Sequence, residues 1–190
     1  EYAPLEKAWV PVTGDNYFYI YCLWVSGSYK GKGYGKELLQ SCIDDAKAQG
    51  KSGICLLSSK KKKPFLSEKK FMLKYGFKVV DTINDEYELL ALSFDGTQPQ
   101  FTSNVRKQSI EGKELTIYYG VQCPYIPNCI EQIYNYCENN QIPLRLVEID
   151  TLEKAKQLPC IFNNWAVFYN GKFETVHLLN EGLLKKLLLR

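Results

Sequence analysis

A run of alternating glycines sits where the chain changes its hydrophobic period. Residues 25–36 read VSGSYKGKGYGK, with Gly31, Gly33 and Gly35 at every second position. Before it lies YFYIYCLWV, residues 17–25, apolar at both parities. That pattern predicts a long strand buried on both faces. After it, Leu38, Leu39, Cys42, Ile43 and Ala46 recur at helical spacing, and Gly50 can close the helix. Strand, glycine loop and helix in that order point to the α/β class. Glycines let a backbone approach a ligand closely and take φ values that a Cβ forbids. At a helix start they aim free N–H groups at an anion, and the helix dipole adds to the attraction. Lys30, Lys32 and Lys36 supply mobile positive charge. The loop is therefore expected to grip a phosphate.

The chain around the loop continues the α/β pattern. AWVPV, followed by the turn TGDN, predicts a strand ahead of residue 17. GICLLSS is a short buried strand, and SEKKFMLKYGF is a helix ended by Gly76. KVVDT and YELLALSF are two further strands joined by INDE. Residues 95–112, DGTQPQFTSNVRKQSIEG, lose periodicity and gather Gly, Pro, Ser, Thr and Asn, so a linker is expected there. This divides the chain into a first region, 1–94, and a second, 113–190. In the second, ELTIYYGV is a strand and CIEQIYNYCENN a helix, followed by the strand LRLVEI. DTLEKAKQ is a short helix with Asp150 and Glu153 spaced as a capping box. WAVFYNGKFETV is a hairpin turning at Asn170–Gly171 in type I′ geometry, and NEGLLKKLLL is a last helix capped by Asn180. The predicted order is β-α-β-α-β-β-α, with no internal repeat between the two regions.

Composition removes several classes. With 45% hydrophobic and 24% charged residues the chain is globular rather than disordered. A net charge of +3 lacks the basic excess of a nucleic-acid binder. No apolar run reaches the roughly 18 residues of a membrane span. The seven cysteines are odd in number, form no CxxC pair and mostly sit in apolar runs. That favours reduced thiols and a cytoplasmic, reducing compartment. No zinc-type spacing occurs, and the single histidine, His177, cannot complete a His-rich site, so no metal is expected. The chain opens at Glu1 without a signal-like segment and reads as a fragment or a processed product.

The glycine loop fails the Walker pattern, since GKE stands where GK[ST] is required, and it lacks G-x-G-x-x-G. It resembles the acetyl-CoA loop of the GNAT N-acetyltransferases, whose signature is Arg/Gln-x-x-Gly-x-Gly/Ala between a long strand and a helix. Lys30-Gly31-Lys32-Gly33-Tyr34-Gly35 fills that pattern with Lys in the first place. A helix ending in a Gly-Phe pair before a strand is a second family feature, matched by FMLKYGFKVV. The resemblance covers residues 8–93, the later half of such a domain. It implies acetyl-CoA as donor and an amine, small-molecule or peptide, as acceptor. It implies that main-chain N–H groups of residues 31–36 hold the pyrophosphate, so Lys30, Gly31, Lys32, Gly33, Tyr34, Gly35 and Lys36 would form the donor site. The strand near Trp24 and Val25 would lie beside the pantetheine arm and polarise the thioester carbonyl through an N–H. Many members carry a proton-donating tyrosine four residues before the Gly-Phe glycine. Here that residue is Met72, which has no proton to give, and Tyr75 reads as core. The run Lys60–Lys63 is either a solvated loop or a contact for the donor's 3′-phosphate or an acidic acceptor.

The second region looks like a thioredoxin-type fold, and Cys123-Pro124-Tyr125 resembles glutaredoxin's Cys-Pro-Tyr-Cys with Ile126 in the second cysteine's place. Pro159 is the candidate for the cis-proline that such folds set ahead of the hairpin. Asn128 and Glu131 form a capping box, and Pro127 would clash with a helix begun at Pro124, so the helix is expected to start near Cys129. A thiol there would be acidified by the helix dipole, with Cys123 close enough to pair with it. Cys123 and Cys129 are thus candidate catalytic thiols. A GNAT half joined to such a module is similar to the YoaP-type acetyltransferases. Three readings stand: an acetyl-CoA-dependent N-acetyltransferase, a thiol-disulfide or thiol-sensing protein acting through Cys123 and Cys129, and a non-catalytic CoA-binding module. A half-domain would also expose sheet edge and apolar surface that invite a second copy of the chain.

Overall fold

The computed structural model describes residues 1–189. It divides into two compact units, one of residues 1–8 and 12–101, the other of residues 9–11 and 102 onward. Both are mixed α/β, as the strand and helix periodicities predict.

The first unit is built on a five-stranded sheet of order β1-β3-β4-β6-β5. Its strands are β1 (Tyr2–Pro4), β3 (Tyr17–Ile20), β4 (Gly53–Ser59), β5 (Lys78–Ile83) and β6 (Tyr87–Ser93). The parallel pair β3–β4 is joined through α1 (Tyr34–Ala48), since parallel neighbours need a crossover. All other pairs in the sheet are antiparallel, and β6 lies between β4 and β5. Every residue of β4 is buried, which is why GICLLSS reads as one apolar run with two serines. α1 lays Leu39, Cys42, Ile43 and Ala46 on Phe18, Ile20, Ile54, Leu56 and Leu90. The short α2 (Lys69–Leu73) adds Met72 to the same core, and Phe77 follows it after the Gly76 turn. α2 is shorter than the helix expected over residues 67–77.

Three sequence expectations change here. The strand expected over 17–25 ends at Ile20. The ladder with β4 runs only from Tyr17–Gly53 to Tyr19–Cys55, so β4 continues from Leu56 to Ser59 paired with β6 alone. Apolar content carried on to Val25, but hydrogen-bond partners did not. The strand expected over AWVPV shrinks to β2 (Val12–Thr13), which pairs with β7 (Gln100–Phe101) inside the segment expected to be a linker. That segment also carries a 3₁₀ turn at Ser103–Lys107. Its polar composition hid both, because two-residue strands have no measurable period.

The second unit has a four-stranded sheet of order β11-β10-β8-β9. Its elements follow as β8 (Leu115–Tyr119), α3 (Ile126–Asn139), β9 (Leu144–Glu148), α4 (Leu152–Lys156), β10 (Trp165–Tyr169), β11 (Lys172–Thr175) and α5 (Glu181–Leu188). β8 and β9 are parallel, and β10 is antiparallel to both β8 and β11. One face buries Ile117, Ile133, Cys137, Trp165 and Leu184; the other buries Ala155, Cys160, Phe162, Ala166 and Phe168. Asn170 and Gly171 both have positive φ, 51° and 74°, as a type I′ turn requires. The cap of α4 is Thr151, one residue past the expected Asp150; its hydroxyl accepts from the Lys154 N–H at 3.2 Å, and Asp150 instead pairs with Lys154 Nζ. No peptide bond among the described residues is cis, so Pro159 is trans.

Candidate functional site

The loop between β3 and α1 begins with a single 3₁₀ turn, Gly27–Tyr29, closed by the Lys30 N–H on the Gly27 carbonyl. Gly31 and Gly33 then take φ of +79° and +90°. Gly33 is the residue that caps α1, and it brings no side chain to accept from the first turn. Its left-handed conformation explains why glycine stands there: a Cβ at this site meets nothing within 4 Å, so the constraint is backbone conformation rather than space. The Lys36 and Glu37 N–H groups both donate to the Gly33 carbonyl, at 2.8 and 3.2 Å. The N–H groups of Gly31, Lys32, Gly33, Tyr34 and Gly35 donate to no acceptor among the described residues. Of the amides expected at 31–36, the one at Lys36 is therefore already committed to the helix. The other five are open donors at the positive end of a fifteen-residue helix.

The side chains around the loop match this. Lys30, Lys32 and Lys36 are exposed, and none forms an ion pair among the described residues. Lys32 Nζ lies 5.6 Å from the Tyr29 ring centroid. Gly35 faces Val25 and Phe71, whose nearest atoms would be 3.9 and 3.8 Å from a Cβ placed on it. Val25 thus sits against the first turn of α1. Past the end of β3, the N–H groups of Leu23, Trp24 and Val25 also donate to no acceptor among the described residues. The chain leaves the ladder here, next to the stretch of β4 that has lost its partner on this side. An open cleft of about 500 Å³ lies between this segment and α1, with Trp24, Val25, Tyr29, Tyr34 and Leu38 among its walls. Tyr29 and Leu38 were not singled out from the sequence as site residues. The signal available was an exposed position for a large apolar side chain, and exposure cannot be read from periodicity at one turn.

Met72 is fully buried in the core and packs rather than reacts. Tyr75 is half-buried, its ring 5.0 Å from that of Phe71. Three of the four lysines in the basic run pair with the chain's own acids: Lys60 with Asp85 at 2.6 Å, Lys62 with Glu68 at 3.0 Å and Lys63 with Glu86 at 2.5 Å. Lys69 reaches the buried Glu88 at 2.6 Å.

The thiols of the second unit are arranged otherwise than expected. α3 starts at Ile126, not near Cys129. Pro127 falls in its first turn, where its missing N–H costs nothing, so it does not delay the helix. Asn128 accepts from Gln132 Nε2 at 3.4 Å instead of capping. Cys129 is the fourth helical residue and faces the core, with Sγ donating to the Leu179 carbonyl at 3.0 Å. Burial pushes its thiol up to about 11, the reverse of the expected acidification. Cys123 lies half-buried in the preceding loop, and both sulfurs are free thiols.

Known protein families match stretches of both units. The family described as Acetyltransferase (GNAT) family matches residues 2–77, which include the loop, Met72 and the Gly76–Phe77 pair. The family described as YoaP-like matches residues 143–186. A curated relative, the uncharacterized N-acetyltransferase YoaP of Bacillus subtilis (strain 168), is 39% identical over 190 residues, covering 99% of this chain and 76% of the relative. With that identity running through both units, the chain belongs to the GNAT acetyltransferase family, joined to a YoaP-like segment, and is an enzyme of the acyltransferase class.

Proposed function

We propose that this protein transfers the acetyl group of acetyl-CoA to the amine of a small molecule or peptide. The observation that carries the reading is the set of five open N–H groups at residues 31–35, at the start of α1. These amides face solvent at the positive end of the helix, and a diphosphate supplies acceptors of matching charge for them. Lys30, Lys32 and Lys36 would add screening charge around it, and Trp24 and Val25 would border the pantetheine arm. The free N–H groups at 23–25 suit a thioester carbonyl whose oxygen gains charge as the amine attacks. In that step the C–N bond forms and the C–S bond breaks. The amine loses a proton and the departing thiolate gains one. Met72 takes no part in either transfer, because a thioether carries no proton.

The β-α-β-α-β-β-α order of the second unit supports reading it as a thioredoxin-like module, and its free cysteines suit a reducing, cytoplasmic setting. Among the described residues no helix is long and apolar enough to cross a membrane. The thiol reading loses its proposed nucleophile with Cys129, whose sulfur is buried and held protonated.

Thermal unfolding with and without acetyl-CoA tests the proposal. A ligand bound only by the native state adds about 2.7 kcal/mol at a hundred times its Kd, a rise of several degrees in Tm. Release of CoA thiol on addition of amines would then identify the acceptor class. An unchanged Tm at millimolar acetyl-CoA contradicts the proposal.

A further inference from the structure

We propose that Lys61 is a modification site, acetylated by the chain's own transfer site; this rests on the donor reading above. Four lysines stand in a row after β4, and three of them are tied: Lys60, Lys62 and Lys63 pair with Asp85, Glu68 and Glu86. Lys63 Nζ also lies over the Tyr87 ring, 5.2 Å from its centroid. Lys61 is exposed and forms no ion pair among the described residues. The backbone around it is held. The two buried serines that end β4 turn onto this loop: Ser59 Oγ donates to the Lys61 carbonyl at 2.6 Å, and Ser58 Oγ donates to the Ser67 carbonyl at 2.8 Å. Between them Phe65 keeps a φ of +63°, which a bulky side chain adopts only where its surroundings over-determine the backbone. One free amine thus stands on a loop pinned at both ends.

The loop follows the strand that borders the transfer site, within the same unit. β3 and β4 run parallel and last pair at Tyr19 and Cys55. Six residues beyond that pair, in the same chain direction, come Val25 on one side and Lys61 on the other. Over this stretch β4 is paired on its far side alone, and the N–H groups at 23–25 have no acceptor among the described residues. The proposed function puts the thioester at 23–25, and the flexible four-carbon stem of Lys61 rises from the same end of the sheet. Lys30, Lys32 and Lys36 belong to the diphosphate in that reading, which leaves Lys61 as the free amine beside the acyl group. An amine held next to its reactant gains a large effective concentration over exposed lysines elsewhere. In the step the Nζ–C bond forms and the C–S bond breaks. One proton of the ammonium goes to solvent and a second goes to the departing thiolate. Lysine and acetyl-CoA thereby give N-acetyl-lysine, CoA and one proton, and the run loses its unpaired charge.

Incubation of the purified chain with acetyl-CoA, followed by intact mass and peptide mapping, tests this. Lys61 is expected to gain one acetyl group at least about tenfold faster than the exposed Lys74, Lys113 and Lys186. Its rate should not depend on the concentration of the chain. The acetyl ester of N-hydroxysuccinimide, which needs no binding site, should label the four lysines at similar rates. Lys61→Arg should abolish the fast phase and keep the rise in melting temperature with acetyl-CoA, which checks both folding and donor binding. Gly33→Ala, by weakening the donor, should slow Lys61 labelling at limiting acetyl-CoA. If acetyl-CoA raises the melting temperature and Lys61 is labelled no faster than the other three, only this inference falls. It falls in the same way if the rate scales with chain concentration, or if the Lys61→Arg chain keeps the fast phase. If acetyl-CoA leaves the wild-type melting temperature unchanged, the donor reading falls and takes the inference with it.

Discussion

At the start of α1 no side chain caps the first turn, whereas at the start of α5 one does. Asn180 caps α5 with its side-chain oxygen on the Leu183 N–H at 2.9 Å, and its carbonyl takes the Leu184 N–H at 2.9 Å. Thr151 does the same for α4. Gly33 has no side chain to offer, and Gly31 through Gly35 present their N–H groups to solvent. A cap is worth about 1 kcal/mol. α2 and α3 also start without a side-chain cap, but only at α1 is the uncapped start immediately preceded by exposed lysines that form no ion pair among the described residues. α3 makes a third case. Its first turn is blunted by Pro127, and Cys129 points inward, so a helix start alone confers no reactivity.

The largest test of this contrast concerns that third start. With its thiol held at about 11, Cys129 should react with iodoacetamide at pH 8 about a hundredfold more slowly than an unperturbed thiol, because the thiolate is the nucleophile. Peptide mapping after brief labelling should find Cys22 and Cys123 modified first. The sign of the pH effect follows. The folded thiol titrates above its unfolded value of about 9, so its contribution to stability is whole below pH 9 and is lost as pH rises towards 11. Cys129→Ser should lessen that alkaline loss in a pH series of melts without removing it, because burial also pushes the Cys42 thiol up to about 11.

Next in size, Gly33→Ala forces a Cβ into a φ of +90° and should weaken acetyl-CoA binding by about tenfold or more as the loop relaxes. Calorimetry reads the binding, and a modest drop in Tm is expected beside it. Smaller again, Asn180→Ala should cost about 1 kcal/mol in urea unfolding and leave acetyl-CoA affinity unchanged. Equal effects of these two substitutions on donor affinity would erase the distinction between the uncapped and the capped helix start. The smallest effect is expected at Lys60→Ala, which breaks an exposed ion pair with Asp85 and should change stability by less than about 1 kcal/mol.

Much of this was legible in the sequence for identifiable reasons. The 3.6-residue spacing of Leu39, Cys42, Ile43 and Ala46 is the buried face of α1. Asn170–Gly171 gave the hairpin, and Asn180 the last cap. The Gly-Phe pair lies between α2 and β5 as expected, although the helix itself already ends at Leu73. What was not legible depended on partners distant in sequence. Nothing in YFYIYCLWV says that pairing with β4 stops after Tyr19, because that depends on where Cys55 and Leu56 lie. Nothing in the Lys60–Lys63 run shows that Asp85 and Glu86 will meet it. The start of α3 was misplaced by weighing the Asn128–Glu131 spacing above the ease with which proline enters a first turn. The open state of the amides at 31–35 could be hoped for from the glycines, but only their hydrogen-bond accounting decides it.

The account comes down to where those five N–H groups spend their bonds, and a ¹⁵N–¹H correlation titration with acetyl-CoA reads them directly. Large, saturable shifts at Gly31, Gly33 and Gly35, with Leu183 and Leu184 at the capped start of α5 unmoved, are the predicted result. Loop glycine signals that stay in place while acetyl-CoA binds, or shifts confined to other parts of the chain, would contradict it.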